Sequence, residues 1–299
     1  MTLLSITPSR LALAYAFDLV AGDPEWFPHP VRAIGMALTA GERCLRNAND
    51  GEVGETVKGA LLTGTIVAGS WAVARAALRN SDKLPRPWAG FVEAVLAWTT
   101  LATRNLLGEA KAVLDALDAG DLDHARRRLS RIVGRDTESL GEEEIARAVI
   151  ETVAESACDG IVAPLTWLAI GGVPAAFAYK AANTLDSMIG HPEPLYRDFG
   201  HAAARLDDVA NLVPARLTAL CIAAAAFLAG YDARSAWRVW LRDGGKPSRS
   251  PRLGAEGRPA QPADARRALL IVATASAVAF GAALFCSAWR NRKPRSAPL

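Results

Sequence analysis

Four clusters of polar residues carry the chemistry available to this chain, which is otherwise rich in alanine, leucine and valine. The densest runs from Arg197 through Arg205, Asp207, Asp208 and Asn211 to Arg216. Asp208 and Asn211 are three positions apart and Asp207 and Asn211 four, so on a helix either pair shares a face. Acids beside arginines can clamp a metal ion together with its phosphates. Arg205 with Asp208 is equally a plain ion pair along a helix. A second cluster sets Lys180, Asn183 and Asp186 or Ser187 on one helical face. There a lysine leaving apolar surroundings could meet a phosphate as a point charge while Asp186 holds metal; the plain alternative is a lysine reaching for the membrane interface.

The third cluster follows Gly134-Arg135-Asp136-Thr137 and spaces Glu151, Glu155 and Asp159 at i, i+4 and i+8. Like charges in one stripe repel, so the face wants either full hydration or a cation, and Mg²⁺ suits carboxylate oxygen with retained water. The fourth, from Asp18 to Arg32, packs prolines around Asp23, His29 and Arg32. Prolines leave such a loop little conformational entropy to lose, which fits an anion or metal site; a helix end anchored at the interface by Trp26 and Phe27 reads equally well. Walker-type phosphate loops, His-Glu-x-x-His and Gly-x-Ser-x-Gly are all missing from the sequence.

The elements that must position these groups are long apolar runs. With 51% apolar and 22% charged residues the chain is no disordered polymer, and its hydrophobes concentrate in stretches near the roughly 20 residues that cross a bilayer. Five stretches are predicted to span: Leu3 to Ala21, Gly59 to Ala77, Phe91 to Leu107, Val209 to Tyr231 and Ala268 to Trp289. Arg10 and Asp18 weaken the first, and Glu93 and Arg104 sit near the ends of the third. Between Ile161 and Tyr179, Gly171-Gly172-Val173-Pro174 divides an apolar run into two pieces, each too short to cross alone. A helical hairpin and a kinked single span are both open readings. Gly108 to Val133 has helical periodicity with a polar side and reads as an interfacial or cytoplasmic helical pair. The fold class expected is all-α: one multi-span membrane domain over residues 1–299, with helical cytoplasmic loops, a flexible Gly/Pro/Ser/Arg loop at 243–262 and a basic tail at 290–299.

The net charge of +3, with arginines scattered beside apolar runs, argues against a nucleic-acid partner. The cysteines Cys44, Cys158, Cys221 and Cys286 are too dispersed for structural zinc or a disulfide framework. The N-terminal stretch lacks a basic region and a cleavage site, and is expected to be retained. A transporter or non-catalytic scaffold is the competing class, but it would set ionisable groups at mid-membrane and often show two similar halves.

Taken in order, these clusters resemble the adenosylcobinamide-phosphate synthase family of cobalamin biosynthesis. Asp18 to Gly35, Gly134 to Thr137, Glu151 to Pro164, Tyr179 to Gly190 and Tyr196 to Leu217 resemble its successive motifs, over roughly the first 240 residues. The resemblance implies a multi-pass enzyme of the bacterial inner (cytoplasmic) membrane that joins a carboxylate of a corrinoid, adenosylcobyric acid, to the amine of aminopropanol or aminopropanol phosphate. ATP and Mg²⁺ would be co-reactants, and a complex with other membrane enzymes of cobalamin assembly would fit. On that reading Asp186, Asp207 and Asp208 are the Mg²⁺ ligands. Lys180, Asn183, Arg197, Arg205, Arg32 and His29 face substrate or phosphate, and Glu151, Glu155 and Asp23 serve as base or second-metal residues.

The chain departs from the family after Pro251. An Asn-Ala-Gly-Trp-Pro-Glu-like element and a Gly- and aromatic-rich stretch are missing, roughly thirty residues, more than loop variation in compact domains explains. That loss implies a weakened or inactive member as the alternative.

The membrane reading is tested by fractionation: the expressed chain should stay with membranes through high salt and carbonate, since several spans are not removed by screening charge. A reporter fused after Leu299 should signal cytoplasm, because Arg290, Arg292, Lys293 and Arg295 follow the last apolar run directly. Release into the soluble fraction refutes the first expectation, and an extracytoplasmic signal the second.

Overall fold

The computed structural model describes residues 5–24, 26, 29–47, 50–191, 193–243 and 258–292. They form eleven α-helices: α1 (Pro8–Ala21), α2 (Pro30–Leu45), α3 (Glu52–Ser81), α4 (Arg86–Trp98), α5 (Thr103–Asp118), α6 (Leu122–Leu129), α7 (Glu142–Ala157), α8 (Ala163–Ile189), α9 (His201–Leu228), α10 (Ala233–Asp243) and α11 (Pro262–Arg292). A π-helical turn, Cys158–Val162, joins α7 to α8, and no strand occurs among the described residues. Most of the expected loop at 243–262, and the tail beyond Arg292, lie outside the described residues.

Four helical stretches are long and apolar enough to cross a membrane: Glu52–Ser81, Glu142–Ile189, His201–Leu228 and Pro262–Arg292. Two of the five predicted spans, Gly59 to Ala77 and Ala268 to Trp289, fall within them, and Val209 to Tyr231 does so as far as Leu228. The other two do not form long helices. α1 has 14 residues and α4 has 13, each about 20 Å, short of the roughly 30 Å hydrocarbon core. The run Phe91 to Leu107 stops at Trp98 because Thr99 and Thr100 turn their hydroxyls back onto the carbonyls of Leu96 and Ala97. The charges that weakened these two candidates answer each other, since the Arg10 guanidinium donates to Glu93 across α1 and α4.

The fourth stretch, Glu142–Ile189, is not a straight rod. Gly172 has φ 66° and ψ −165°, a conformation essentially confined to glycine. Pro174 two residues on has no N–H for the carbonyl of Ile170. The chain folds back there. Tyr179 Oη lies 3.4 Å from Asp159 Oδ1, although the two are 20 residues apart and would be about 30 Å apart along a straight helix. The Trp167 and Tyr179 rings stack at 6.4 Å on opposite arms of the reversal. The hairpin reading therefore holds and the kinked span does not. The carbonyls of Ala169 and Ile170, left without helical partners by the break, accept from the Arg290 guanidinium of α11.

The chain divides into two compact units. In the first, Ile34 and Leu38 of α2, Leu62 and Ile66 of α3, and Ala181, Leu185 and Ile189 of α8 close on Phe199 and Ala203. Two glycines let backbones touch there. A Cβ at Gly59 would stand 1.8 Å from the carbonyl oxygen of Phe199, and one at Gly200 1.6 Å from that of Ile189. The second unit contains the predicted helical pair, α5 and α6, packed with α7 around Val113, Leu114, Leu129, Ile145 and Val149, all fully buried.

Gly59→Val forces a side chain into backbone that cannot swing aside. It should lower the thermal unfolding midpoint of the detergent-solubilised protein, at a cost of about 1–3 kcal/mol. Gly64→Val in the same helix meets nothing within 4 Å and should leave the midpoint unchanged. Equal midpoints for the two variants would contradict the close approach.

Candidate functional site

The reversal at Gly172 brings the π-helical turn beside the second arm of α8, and the first turns of α9 complete the group. Asp159 comes from the π turn, Tyr179, Lys180, Asn183 and Asp186 from one face of α8, and Asp207 and Asn211 from successive turns of α9. Asp207 is buried, and both of its carboxylate oxygens accept from amides: Asn183 Nδ2 at 3.5 Å and Asn211 Nδ2 at 2.9 Å. Two fixed donors leave the carboxylate a single orientation. Tyr179 Oη stands 3.1 Å from Asn211 Oδ1 as well as 3.4 Å from Asp159 Oδ1, and its one proton serves either acceptor. Lys180 Nζ donates to the backbone carbonyl of Asp159 at 3.4 Å.

Charge converges on the same place. Asp159 and Asp186 both stand close enough to act on Asp207, and Lys180 feels both Asp159 and Asp207. The proline-rich segment adds a second layer. His29 caps α2, its Nδ1 accepting from the Val31 N–H at 3.3 Å, which puts the proton of the neutral ring on Nε2. That Nε2 is 3.9 Å from Asp23 Oδ1, and Arg32 is 3.8 Å from the same oxygen. Burial holds the His29 pKa below its ordinary value; Asp23 opposes this, while the positive charges of Arg32 and Lys180 reinforce it. The ring is therefore neutral at pH 7.

Not every sequence-predicted residue joins this group. Asp208, the next residue of α9, points about 100° away from the buried Asp207, and here that turns it outward. It is exposed and lies 4.0 Å from Arg205 one turn back, the plain ion pair of the alternative reading. Arg205 and Arg197 are exposed as well. Glu151 and Glu155 belong to the second unit, where Glu151 pairs with Arg135 at 3.3 Å and Arg147 at 3.7 Å. The π turn also ends the i, i+4 register after α7, so Asp159 does not simply continue their stripe. Sequence reasoning undervalued Asp159, Tyr179 and Asn211. Asn211 is visible through its spacing from Asp207, whereas Tyr179 is marked only as the start of the motif Tyr179 to Gly190, because its contact with Asp159 is made across the hairpin.

Carboxylate and amide oxygens are the donors a hard cation prefers. Among the described residues no three His, Cys, Asp or Glu side chains form a group able to hold a metal ion by themselves. Mg²⁺ usually keeps several waters and needs only one or two carboxylates plus substrate phosphates, so it would not require such a group. Asp207 and Asp186 are the residues that would supply them.

Residues 11–256 match the family model described as CobD/Cbib protein. "Cobalamin biosynthesis protein CobD" of Geobacter metallireducens is 51% identical over 243 residues, 81% of this chain and 74% of that protein. The protein of the same name from Pelobacter propionicus is 48% identical, over 79% of this chain and 72% of its own length. "Cobalamin biosynthesis protein CbiB" of Salmonella typhimurium is 44% identical, over 77% and 72%. No solved structure matches the chain. A family match over residues 11–256, with relatives 44–51% identical over more than three quarters of the chain, establishes that this chain belongs to the CobD/Cbib protein family.

Proposed function

We propose that the chain works in cobalamin biosynthesis as an adenosylcobinamide-phosphate synthase of the bacterial cytoplasmic membrane, its C-terminus in the cytoplasm. The observation that carries the proposal is the buried polar group at the mouth of the hairpin, where Asp207 is held by two amides beside Asp159, Asp186 and Lys180. Such a group, with acids and one lysine at the ends of apolar helices, suits a phosphate-rich co-substrate better than an apolar cargo.

In the proposed reaction a carboxylate oxygen of adenosylcobyric acid attacks the γ-phosphorus of ATP and ADP leaves. The nitrogen of aminopropanol, or of its phosphate, then attacks the acyl carbon; phosphate departs and the amine proton passes to a base. Mg²⁺ bound at Asp207 and Asp186 would supply charge neutralisation at the phosphate oxygens. Lys180 contacts phosphate, and the two asparagines hold Asp207 in its orientation, so little reorganisation is needed as charge develops. Asp23 is the base candidate, with neutral His29 and the Arg32 guanidinium, a proposed anion contact, beside it. Glu151 and Glu155 are the alternative bases. Arg197, Arg205 and Asp208 are exposed and would serve at the rim. A complex with other membrane enzymes of cobalamin assembly is part of the proposal.

Membranes carrying the protein, supplied with adenosylcobyric acid, ATP, Mg²⁺ and the amine donor, should form the amide. Asp207→Asn should reduce turnover by roughly 10²-fold or more, because a charge facing the phosphates is lost. Asp208→Asn, at the exposed position, should stay within a few-fold of the parent. Comparable losses in the two variants would remove Asp207 from its special place, and no amide from the parent chain would remove the reaction.

A weakened synthase is the second reading, favoured by the departure after Pro251 and by a family match that ends at residue 256. Complementation of a strain lacking the synthase separates the two. The parent chain should restore growth poorly and a version with the family's element grafted after Pro251 fully. Full restoration by the parent shows that the element is dispensable.

A further inference from the structure

α10 is a short helix with two chemically distinct sides. Ala233, Trp237, Trp240 and Leu241 recur at helical spacing on one face, and Arg234, Arg238 and Arg242 form a stripe at i, i+4 and i+8 beside it. Val239 is the one hydrophobe off the apolar face. The two indoles pack together, their rings 4.8 Å apart. Protein covers that face only in part: Trp237 is 39% and Leu241 64% exposed, and Ala233 and Trp240 are half-buried. The large apolar side chains of a soluble helix would be covered; these are presented outward next to three cations.

The junction with α9 says what covers them. α9 closes with a Schellman-type cap: Gly230 takes φ 76°, and the Tyr231 N–H reaches the Ala226 carbonyl at 2.8 Å. Asp232 then caps α10, accepting from the N–H groups of Arg234 and Ser235, each at 3.1 Å. No slack separates the two helices. Leu228, the last residue of a membrane-competent helix, and Ala233, the first of α10, are joined by a segment that reaches at most about 17 Å. α10 is thereby tethered at the level of the lipid headgroups. Tryptophan is the residue that favours this layer, and arginine beside it complements lipid phosphate.

We propose that α10 lies along the bilayer surface, with Trp237, Trp240 and Leu241 in the boundary between headgroups and acyl chains and Arg234, Arg238 and Arg242 on the phosphates of anionic lipid. The site selects phospholipid of negative headgroup charge over zwitterionic phospholipid. This is independent of the synthase reading.

The test uses the full chain in nanodiscs and the emission lost in a Trp237→Phe/Trp240→Phe double variant, which isolates these two indoles from the protein's 8 tryptophans. Lipid brominated near the headgroup end of its acyl chains should quench this emission more than lipid brominated deeper, and aqueous iodide should quench it weakly. At equal total bromine, brominated phosphatidylglycerol in a phosphatidylcholine bilayer should quench about two-fold more than the reverse labelling. In an Arg234→Gln/Arg238→Gln/Arg242→Gln variant that excess should vanish while shallow quenching persists. Strong iodide quenching would place α10 in water. Protection from both iodide and bromolipid would mean that protein covers it. Equal quenching by the two brominated headgroups in the parent chain would remove the anionic selectivity. Each of these three results overturns the proposal.

Discussion

The polar group depends on the reversal of the chain at Gly172. A side chain at that position would be strained by φ 66° and ψ −165°, and without the reversal Asp159 and Tyr179 would stand about 30 Å apart. The reversal has its own cost, because a broken helix leaves carbonyls without partners in surroundings that offer little water. Arg290 meets that cost by donating to the carbonyls of Ala169 and Ile170. The basic residues after the last apolar run thus do more than mark a membrane face: one of them caps the hairpin.

At the other end of the hairpin the physical problem is charge. Asp159 and Asp186 both lie within reach of Asp207, and Lys180 within reach of Asp159 and Asp207. Two amides fix Asp207, and the nearby His29 stays neutral because burial, Arg32 and Lys180 together outweigh Asp23. In the proposed chemistry this cluster of acids, with Asp207 held in one orientation, would meet a cation carried in with phosphate. The glycines at 59 and 200 act at a distance from this chemistry, letting α3 and the end of α8 close against the turn that leads into α9.

Helical character, three of the apolar spans and the α5–α6 pair are legible in the sequence because hydrophobic periodicity and length are local properties. Phe91 to Leu107 was misread because composition is blind to where a helix stops. Thr99 and Thr100 count as neutral in a hydropathy window, yet their hydroxyls end α4. Orientation in the membrane is a balance of flanking charge: Arg290 and Arg292 at one end of α11 compete with Arg266 and Arg267 at the other.

By itself the sequence determined the class of the protein, the family its motifs resemble and the residue types available for catalysis: acids, a lysine and asparagines at the ends of apolar runs. It could not choose between Asp207 and Asp208, between a hairpin and a kinked span, or between Arg205 as a phosphate contact and Arg205 as a surface partner. The tertiary structure buries Asp207, leaves Asp208 and Arg205 exposed as an ion pair, and reverses the chain at Gly172. Helical spacing names the residues that share a face, but only packing says which face is turned inward, and contacts between residues 20 or more apart arise from a chain reversal that no local pattern encodes.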